Sequence, residues 1–295
     1  MPTDIDGILL LDKPLDLSSA GAVARVKRLF GARKAGHTGS LDPLASGMLP
    51  ICFGEATKFA GPLLDADKEY FATVRLGEKT STGDAEGEVV ERTDIPAGIE
   101  GAISSILGKF KGAIEQVPPM YSALKRDGVP LYELARKGES VSRAPRRVQI
   151  TELDLTAFKK PFMEIRVRCS KGTYVRTLAE DIAAALGTVG HLAALRRVAS
   201  GAFRVEDAVT PEILENTGEK ERRLRLLPLT ALLAGLPKAE LDAAAEGRFR
   251  NGQTLAFEGV QGLCGVYGRD GVVGLGRAEA GRLHPVRLTA AQEAE

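Results

Sequence analysis

The stretch GHTGSLDPLASGMLPICFGEATKF, residues 36–59, carries most of what the sequence predicts about fold and function. Gly permits positive φ, and Pro fixes φ and removes a backbone donor, so a run rich in both is not expected to form one regular element. Asp42 directly precedes Pro43, which pushes it out of the helical region into an extended conformation. We therefore expect a stiff loop that presents the Asp42 carboxylate, backed by the apolar run at 48–53.

Two other interpretations of this region are a simple turn and a phosphate-binding loop. An Asp before Pro is a common turn former without any catalytic role. Residues 31–38 also read G-x-x-x-x-G-H-T, one residue away from a phosphate-binding loop, but His37 stands where that motif requires lysine. The helix that should follow would meet Pro43 within two turns, so a nucleotide-binding loop is rejected.

Length and composition define the broad class. The 295 residues are 44% hydrophobic, which predicts a real core in one large domain and one small one. No run approaches the length of a membrane span, and the short acidic start MPTDIDG is not typical of a secretory or transit signal. The three cysteines show no C-x-x-C spacing, so we expect reduced thiols in a cytoplasmic protein and neither disulfides nor a metal site.

Charge is distributed unevenly along the chain. Residues 1–120 carry 13 Lys/Arg against 17 Asp/Glu, residues 121–200 carry 15 against 8, and residues 201–295 carry 12 against 14. The net charge of +1 therefore conceals a central segment of +7 between mildly acidic flanks. Such a segment is suited to a phosphate backbone, although a solvated charged face has the same composition.

Hydrophobic periodicity predicts alternating strands and helices. Ser18 or Ser19 is the expected N-cap of the first helix. Strands are expected at 7–12, 69–76, 88–91, 148–158, 162–169 and 191–203, and helices at 20–30, 55–64, 99–107, 131–137, 174–185, 207–233 and 239–248. After Pro237, short apolar segments separated by glycines predict a small β-barrel.

The segment from Val117 to Val148 has a looser pattern. It contains four prolines, few large apolar anchors and seven basic residues, Lys125, Arg126, Arg136, Lys137, Arg143, Arg146 and Arg147. A segment of this composition is expected to be mobile without its partner. If so, bound RNA should increase its protection from hydrogen exchange.

Residues 36–59 closely resemble the active-site motif of the TruB-type tRNA pseudouridine synthases, which isomerise uridine 55 in the tRNA T-arm. Four further segments match that family in the same order, LLLDKPLDLSS at 9–19, DKEYFATVRLGEKTSTGDAEG at 67–87, CSKGTYVRTLAEDI at 169–182 and HLAALRRVASGAF at 191–203. One departure is Asp16, where the family usually has Gly, so we expect a differently shaped turn there.

The resemblance implies an α/β (α+β) architecture, with a mixed, largely antiparallel sheet and flanking helices. It divides the chain into a catalytic domain at 1–235 and a PUA-like RNA-binding β-barrel at 236–295. Within the first domain, 118–147 is similar to the insertion that closes over the RNA loop. It also implies tRNA as partner, no cofactor, metal or membrane, and action as a cytoplasmic monomer.

Pseudouridine formation breaks the bond from ribose to N1 of uracil and rejoins the base through C5. Asp42 is the candidate catalytic group, because a carboxylate can form a covalent intermediate. Sugar attack, ring addition and removal of a ribose proton all remain open. By resemblance Arg176 is its partner, and we expect the guanidinium to reverse the pKa increase that burial gives a carboxyl.

The resemblance also assigns residues around the target base. Tyr70 would lie against the uracil and take part in proton transfer at C5, while Tyr174 and Leu195 would line the pocket. His37 would support the flipped loop, without acid–base work. Everting the base costs a few kcal/mol, which phosphate contacts would offset, and these are expected from Lys13, Lys58, Arg196 and Arg197 with the basic insertion.

Two alternatives have to be kept beside a stand-alone uridine isomerase. One is a guide-RNA-dependent pseudouridine synthase subunit, and the other is a non-catalytic RNA-binding or RNA-folding protein. A zinc deaminase is disfavoured because H-x-E and P-C-x-x-C motifs are missing, and a Rossmann methyltransferase because no G-x-G-x-x-G follows an early strand.

Overall fold

The computed structural model describes residues 5–122, 124–139 and 141–290. In these ranges the strands are β1 (Gly7–Lys13), β2 (Ala35–His37), β3 (Ala45–Phe53), β4 (Lys68–Leu76), β5 (Glu78–Thr80), β6 (Val89–Arg92), β7 (Gly112–Gln116), β8 (Lys125–Arg126), β9 (Val129–Pro130), β10 (Arg146–Lys159), β11 (Phe162–Cys169), β12 (Gly190–Ser200), β13 (Phe203–Arg204), β14 (Lys238–Glu240), β15 (Leu255–Ala256), β16 (Gly262–Gly268), β17 (Gly271–Glu279) and β18 (Arg282–Leu288). The helices are α1 (Ser19–Leu29), α2 (Gly61–Asp65), α3 (Glu100–Lys109), α4 (Leu131–Arg136), α5 (Val175–Ala185), α6 (Pro211–Glu215), α7 (Glu219–Leu224) and α8 (Ala243–Arg250). Short 3₁₀ helices occupy Gly54–Phe59, Val205–Asp207 and Leu229–Leu232.

A nine-stranded sheet forms the body of the molecule. Its order is β1-β3-β12-β4-β11-β10-β7, with β2 added to β3 and β13 to β12. Among the described strands of this sheet, only β3 and β12 pair in parallel, with Leu195 opposite Ala45. The predicted mixed, largely antiparallel sheet is therefore confirmed.

The centre of the sheet packs on helices α3 and α5. Strand β4 alternates as its sequence predicts, because Ala72, Val74 and Leu76 are buried while Phe71 is 44% exposed. The buried set packs with Ile103 of α3 and with apolar residues of α5 in one core cluster. Since each fully buried aliphatic side chain contributes about 1.5–3 kcal/mol, this cluster fixes the strand that carries Tyr70.

Residues 36–59 divide into β2, a loop and β3. The apolar run beyond the loop is at most 1% exposed, and it forms one continuous strand from Ala45 although it contains Pro50. Pro50 lies opposite Leu10 of β1, and its carbonyl accepts a hydrogen bond from the Thr38 amide at 3.1 Å. The loop with Asp42 is thus held against a buried central strand.

Gly47 permits the parallel contact between β3 and β12. Its φ is +104°, and a Cβ there would lie 2.2 Å from the Arg197 carbonyl oxygen. We expect Gly47→Ala to lower the free energy of unfolding by about 3 kcal/mol or more, through backbone strain and collision. Gly36→Ala is the control, since no atom lies within 4 Å of its added Cβ. Equal denaturation midpoints for the two variants would contradict this account.

Three predicted helices differ from the structure. Residues 55–64 are a 3₁₀ turn followed by the five-residue α2, and 207–233 are broken into α6, α7 and two 3₁₀ turns. The expected helix at 239–248 begins late, because β14 pairs in parallel with β16. Asp242 then caps α8 by accepting a hydrogen bond from the Ala245 amide at 2.7 Å.

The C-terminal region is a curled five-stranded sheet in the order β14-β16-β17-β18-β15. It packs around Phe249 and Val266, which are fully buried. This agrees with a PUA-like unit, as a half-barrel with one helix. Leu275 also joins a core cluster with Ile8 of β1 and Leu233, so the unit is docked on the main sheet. In the described ranges no helix has the length and apolar character required to cross a bilayer.

Candidate active site

A cavity of about 280 Å³ opens where the loop before β3 meets β4, β12 and the start of α5. Its wall includes six of the residues predicted from the sequence, Asp42, Tyr70, Tyr174, Arg176, Leu195 and Arg197. They come from four separate segments of the chain. The fold therefore assembles a carboxylate, two guanidinium groups, two phenols and an aliphatic side chain in one place.

A second, outer cavity of about 670 Å³ adjoins the first. The two share wall residues Ser40, Leu41, Asp42, Ser122 and Arg176. Asp42 thus stands at the boundary between the inner and the outer cavity.

The loop that carries Asp42 is tied to the start of α1. Ser19 Oγ accepts from the Leu41 amide at 2.7 Å and donates to the Leu41 carbonyl at 2.8 Å. The Asp16 amide donates to the Pro43 carbonyl at 2.9 Å. Asp16 has φ +60°, in the left-handed region that glycine favours, and its amide braces the Asp42 loop through the Pro43 carbonyl.

Arg176 is 6% exposed and makes contacts to both sides of the cleft. Its Nη2 lies 3.0 Å from Asp42 Oδ2 and donates to the Tyr121 carbonyl at 2.7 Å. Its Nη1 donates to the Thr82 carbonyl at 3.2 Å and lies 3.5 Å from Asp84 Oδ2. A planar group with five donors can satisfy all four acceptors at once, which lysine cannot do.

The pKa of Asp42 is raised above the ordinary carboxyl value. Burial is the largest cause, Arg176 opposes it, and the neighbouring Asp84 adds to the increase. The expectation that the guanidinium reverses the effect of burial is therefore wrong in net direction. The Asp42 side chain keeps 46% of its surface accessible at the cavity junction, and this contact with water moderates the shift.

Asp84 was not singled out in the sequence. It is 2% exposed, accepts hydrogen bonds from Thr82 Oγ1 and from the Glu86 amide, and is the second carboxylate of Arg176. An Asp in a Gly-rich turn is ordinary turn chemistry, so spacing alone offered no signal for this contact.

The two tyrosines are held in different ways. Burial raises the pKa of Tyr70, with Arg197 opposing, so its phenol is neutral at neutral pH. Tyr174 is fixed through its backbone, because the side chain of Gln116 accepts from its amide at 3.0 Å and donates to its carbonyl at 3.4 Å. Gln116 is 2% exposed and was not singled out in the sequence.

His37 and Leu195 lie on opposite sides of the Asp42 loop. Leu195 lines the inner cavity, and His37 lines the outer one. Burial, and then Arg197, lower the pKa of His37, and its Nδ1 accepts from the Gly39 amide at 3.3 Å. The imidazole is therefore neutral at neutral pH.

Lys13 and Arg197 are not available for phosphate contacts, which corrects the prediction for both. Lys13 is 0% exposed and donates to the carbonyls of Pro14, Leu17 and Pro43 at 2.8, 2.5 and 3.5 Å. Arg197 is 1% exposed and donates to the carbonyls of residues 39, 40 and 48. Both cations brace the Asp42 loop from beneath.

We expect Lys13→Met to slow catalysis without changing the salt dependence of RNA binding. A lysine on a phosphate contributes about 0.7 to the slope of log K against log salt for single-stranded nucleic acid. Lys125, which is exposed in the insertion, is the comparison, and Lys125→Met should reduce the slope by that amount. A reduced slope for Lys13→Met in salt titrations would restore the phosphate role.

The other two residues predicted to contact phosphate, Arg196 and Lys58, differ in where they lie relative to Asp42. Arg196 is 42% exposed and makes a bidentate pair with Asp12 at 2.7 and 3.0 Å. Lys58 pairs with Glu55 at 2.7 Å in the 3₁₀ turn after β3. Since β3 rises by about 3.3 Å per residue, Lys58 lies at the opposite end of that strand from Asp42 and outside the walls of both cavities.

The class of protein follows from the fold and site together. A mixed sheet whose central cleft pairs an aspartate with an arginine beside two tyrosines has the carboxylate and the aromatic pocket expected of a pseudouridine synthase. Family models match along most of the chain: "TruB family pseudouridylate synthase (N terminal domain)" at 27–175, "tRNA pseudouridylate synthase B C-terminal domain" at 176–234, and "Pseudouridine synthase II TruB, C-terminal" at 237–289. The chain belongs to the TruB family of pseudouridylate synthases and is an isomerase.

Curated relatives match over nearly the whole chain. The tRNA pseudouridine synthase B of Burkholderia mallei (strain NCTC 10247) is 53% identical, covering 96% of this chain and 97% of the relative. That of Cupriavidus metallidurans is 52% identical, covering 97% and 94%. Among solved structures, a chain of a Cbf5-Nop10-Gar1 complex matches with TM-score 0.74 at 27% identity, covering 96% of this chain and 84% of that chain.

Proposed function

We propose that this enzyme converts uridine 55 in the T-loop of tRNA to pseudouridine, without a guide RNA. The observation that carries the proposal is the 3.0 Å Asp42–Arg176 pair at the mouth of a cavity lined by Tyr70 and Tyr174. The relatives at 52–53% identity are named tRNA pseudouridine synthase B, whereas the Cbf5 complex matches at 27%. This difference favours the stand-alone enzyme over a guide-dependent subunit.

The reaction exchanges one bond to the anomeric carbon for another. The N1–C1′ bond breaks, the base turns, C5 bonds to C1′, and the proton on C5 is lost while N1 gains one. Asp42 supplies the negative charge that starts this exchange, by attack on the sugar, addition to the ring or removal of a ribose proton. In this proposal Arg176 keeps that carboxylate aligned, and Tyr70 moves the proton from C5.

The base must leave the loop to reach Asp42. Everting it costs a few kcal/mol, and the proposed compensation comes from Arg196 and from the basic insertion at 118–147. Single-stranded loops are the accessible target, because side chains cannot read the narrow major groove of an RNA duplex. The division into a catalytic domain at 1–235 and an RNA-binding domain at 236–295 is part of the proposal.

The insertion contains the β8–β9 hairpin and α4, with residues 123 and 140 outside the described ranges. We expect its backbone amides to gain hydrogen-exchange protection when tRNA binds, because it buries few apolar anchors of its own. Mass-spectrometric exchange with and without tRNA measures this, and equal protection in both states would contradict closure over the loop.

The deciding experiment incubates purified protein with unmodified tRNA and maps pseudouridine at nucleotide resolution. Product at position 55 without added RNA or cofactor supports the proposal. Product only with a guide RNA supports the guide-dependent alternative, and tight binding without product supports an RNA-binding or RNA-folding protein. We further propose that the enzyme acts in the cytoplasm as a monomer. Light scattering of the purified protein with tRNA should then give a one-to-one complex.

A further inference from the structure

Ser122 has a buried hydroxyl without a hydrogen-bond partner among the described residues. The residue is 5% exposed, at the beginning of the insertion. Three other buried polar atoms share this property, Arg75 Nε, Arg143 Nε and Ser200 Oγ, and none of them belongs to a residue on the wall of either active-site cavity. Leaving a buried hydroxyl unpaired costs about 1–3 kcal/mol, so this one in the active site requires an explanation.

The backbone on both sides of Ser122 is held in place. The Tyr121 carbonyl accepts from Arg176 Nη2 at 2.7 Å, and the Ser122 carbonyl accepts from the Tyr132 amide of α4 at 3.1 Å. The Ser122 amide donates to the Met120 carbonyl at 2.9 Å. These bonds fix the backbone that places Ser122 at the cavity wall.

Ser122 lines both cavities, as Asp42 does. Tyr70 and Leu195 line only the inner cavity and offer the flat and apolar surfaces that an everted base needs, whereas the outer cavity is the larger of the two. With the base in the inner cavity and its anomeric carbon at Asp42, the sugar lies at the boundary between the two. The polar groups that a ribose offers at that boundary are its hydroxyls.

We propose that the Ser122 hydroxyl forms a hydrogen bond with the ribose 2′-hydroxyl of the everted target uridine. This inference rests on the proposed function and adds a residue that contacts substrate. The 2′-hydroxyl is both donor and acceptor and is the group that distinguishes RNA from DNA at one site. The serine hydroxyl, which has no partner among the described residues, would gain one when a ribonucleotide occupies the cleft.

The test is a double-mutant cycle on binding. The Asp42→Asn protein and the Asp42→Asn/Ser122→Ala protein are titrated with two T-arm RNAs, which carry uridine or 2′-deoxyuridine at the target position. With Ser122 present, deoxy substitution should weaken binding about three- to tenfold, as expected for one hydrogen bond. With Ser122→Ala, the two RNAs should bind equally. A deoxy penalty of the same size in both proteins overturns the proposal.

Ser200→Ala is the matched control, because Ser200 Oγ is also buried and unpaired but lies on neither cavity wall. It should keep the full discrimination between the two RNAs. Thermal unfolding distinguishes contact with the substrate from support of the fold. Because the hydroxyl is unpaired, its removal should leave the melting temperature of Ser122→Ala unchanged or higher. A lower melting temperature would mean that the hydroxyl supports the fold, which also overturns the proposal. Wild-type product mapping on the uridine RNA tests the proposed function separately.

Discussion

Replacing Asp42 by asparagine should reduce pseudouridine formation by roughly 10⁴-fold or more, the scale seen when a central catalytic group is removed. Asparagine has the same shape, and its carbonyl oxygen can still accept from Arg176 Nη2, which lies 3.0 Å from the carboxylate. The cavity and its RNA contacts are therefore preserved while the negative charge is lost. Single-turnover assays and binding titrations on the same tRNA measure the two effects.

The stability of this variant provides an independent check. Because the pKa of Asp42 is raised in the folded protein, the fold favours the protonated carboxyl. The ionised form is therefore less favourable when folded, and stability falls as pH rises from the ordinary carboxyl pKa through the raised value. The neutral asparagine of the variant does not have this dependence. We expect Asp42→Asn to melt at the wild-type temperature or above at pH 7, with the difference disappearing in acid.

Asp65→Asn is the matched control for the same chemical change. Asp65 pairs with Lys171 at 2.7 Å beside the cavity, and both side chains are more than 60% exposed. An exposed pair of this kind contributes about 0–1 kcal/mol, so both activity and stability should stay close to wild type. Loss of RNA binding by Asp42→Asn, or near wild-type turnover, would contradict the assignment of Asp42 as the reacting carboxylate.

Local elements of the fold could be predicted because local chemistry determines them. Ser18 accepts from the Gly21 amide at 3.0 Å and caps α1, as its position before an apolar helical pattern indicates. Alternation predicted β4 and β11 in the same way. The parallel β3–β12 pairing was not predictable, since it joins segments about 150 positions apart through a close approach at Gly47.

The site shows where sequence reasoning reaches its limit. The motif located Asp42, Tyr70 and Arg176, but the charge of a lysine or arginine does not tell whether it meets a phosphate or a backbone carbonyl. Lys13 and Arg197 turned out to support the loop, because both are buried and donate to backbone carbonyls in and next to it. Asp84, Gln116 and Ser122 were missed since polar residues in turns and at strand ends are ordinary; only their burial marks them.

Arg176→Met should have the second large effect, on both stability and activity. Asp84 is 2% exposed, and without the guanidinium it loses its only ion-pair partner within the described ranges. Breaking a buried pair by removing one partner costs about 3–5 kcal/mol. Urea denaturation should show that loss, and adding Asp84→Asn should recover part of the stability. Activity should not recover, because Asp42 still lacks its cation.

The pH dependence distinguishes the electrostatic role of Arg176 from simple support of the fold. Arg176 lowers the pKa of Asp42, while burial and Asp84 raise it. In Arg176→Met the two raising effects are unopposed, so Asp42 ionises only at higher pH. The acid limb of the single-turnover rate should therefore move to higher pH, and residual activity should rise with pH where wild type is already level.

Arg250→Met serves as the control for removing an arginine. Arg250 pairs with Glu246 at 2.8 Å within α8, remote from the cleft, and such a pair is worth about 0.5 kcal/mol. The acid limb of the single-turnover rate of Arg250→Met should match that of wild type. If Arg176→Met and Arg250→Met gave the same acid limb, Arg176 would not be what sets the ionisation of Asp42. Its four contacts would then serve only to join the Asp42 loop, the 81–87 turn and the insertion.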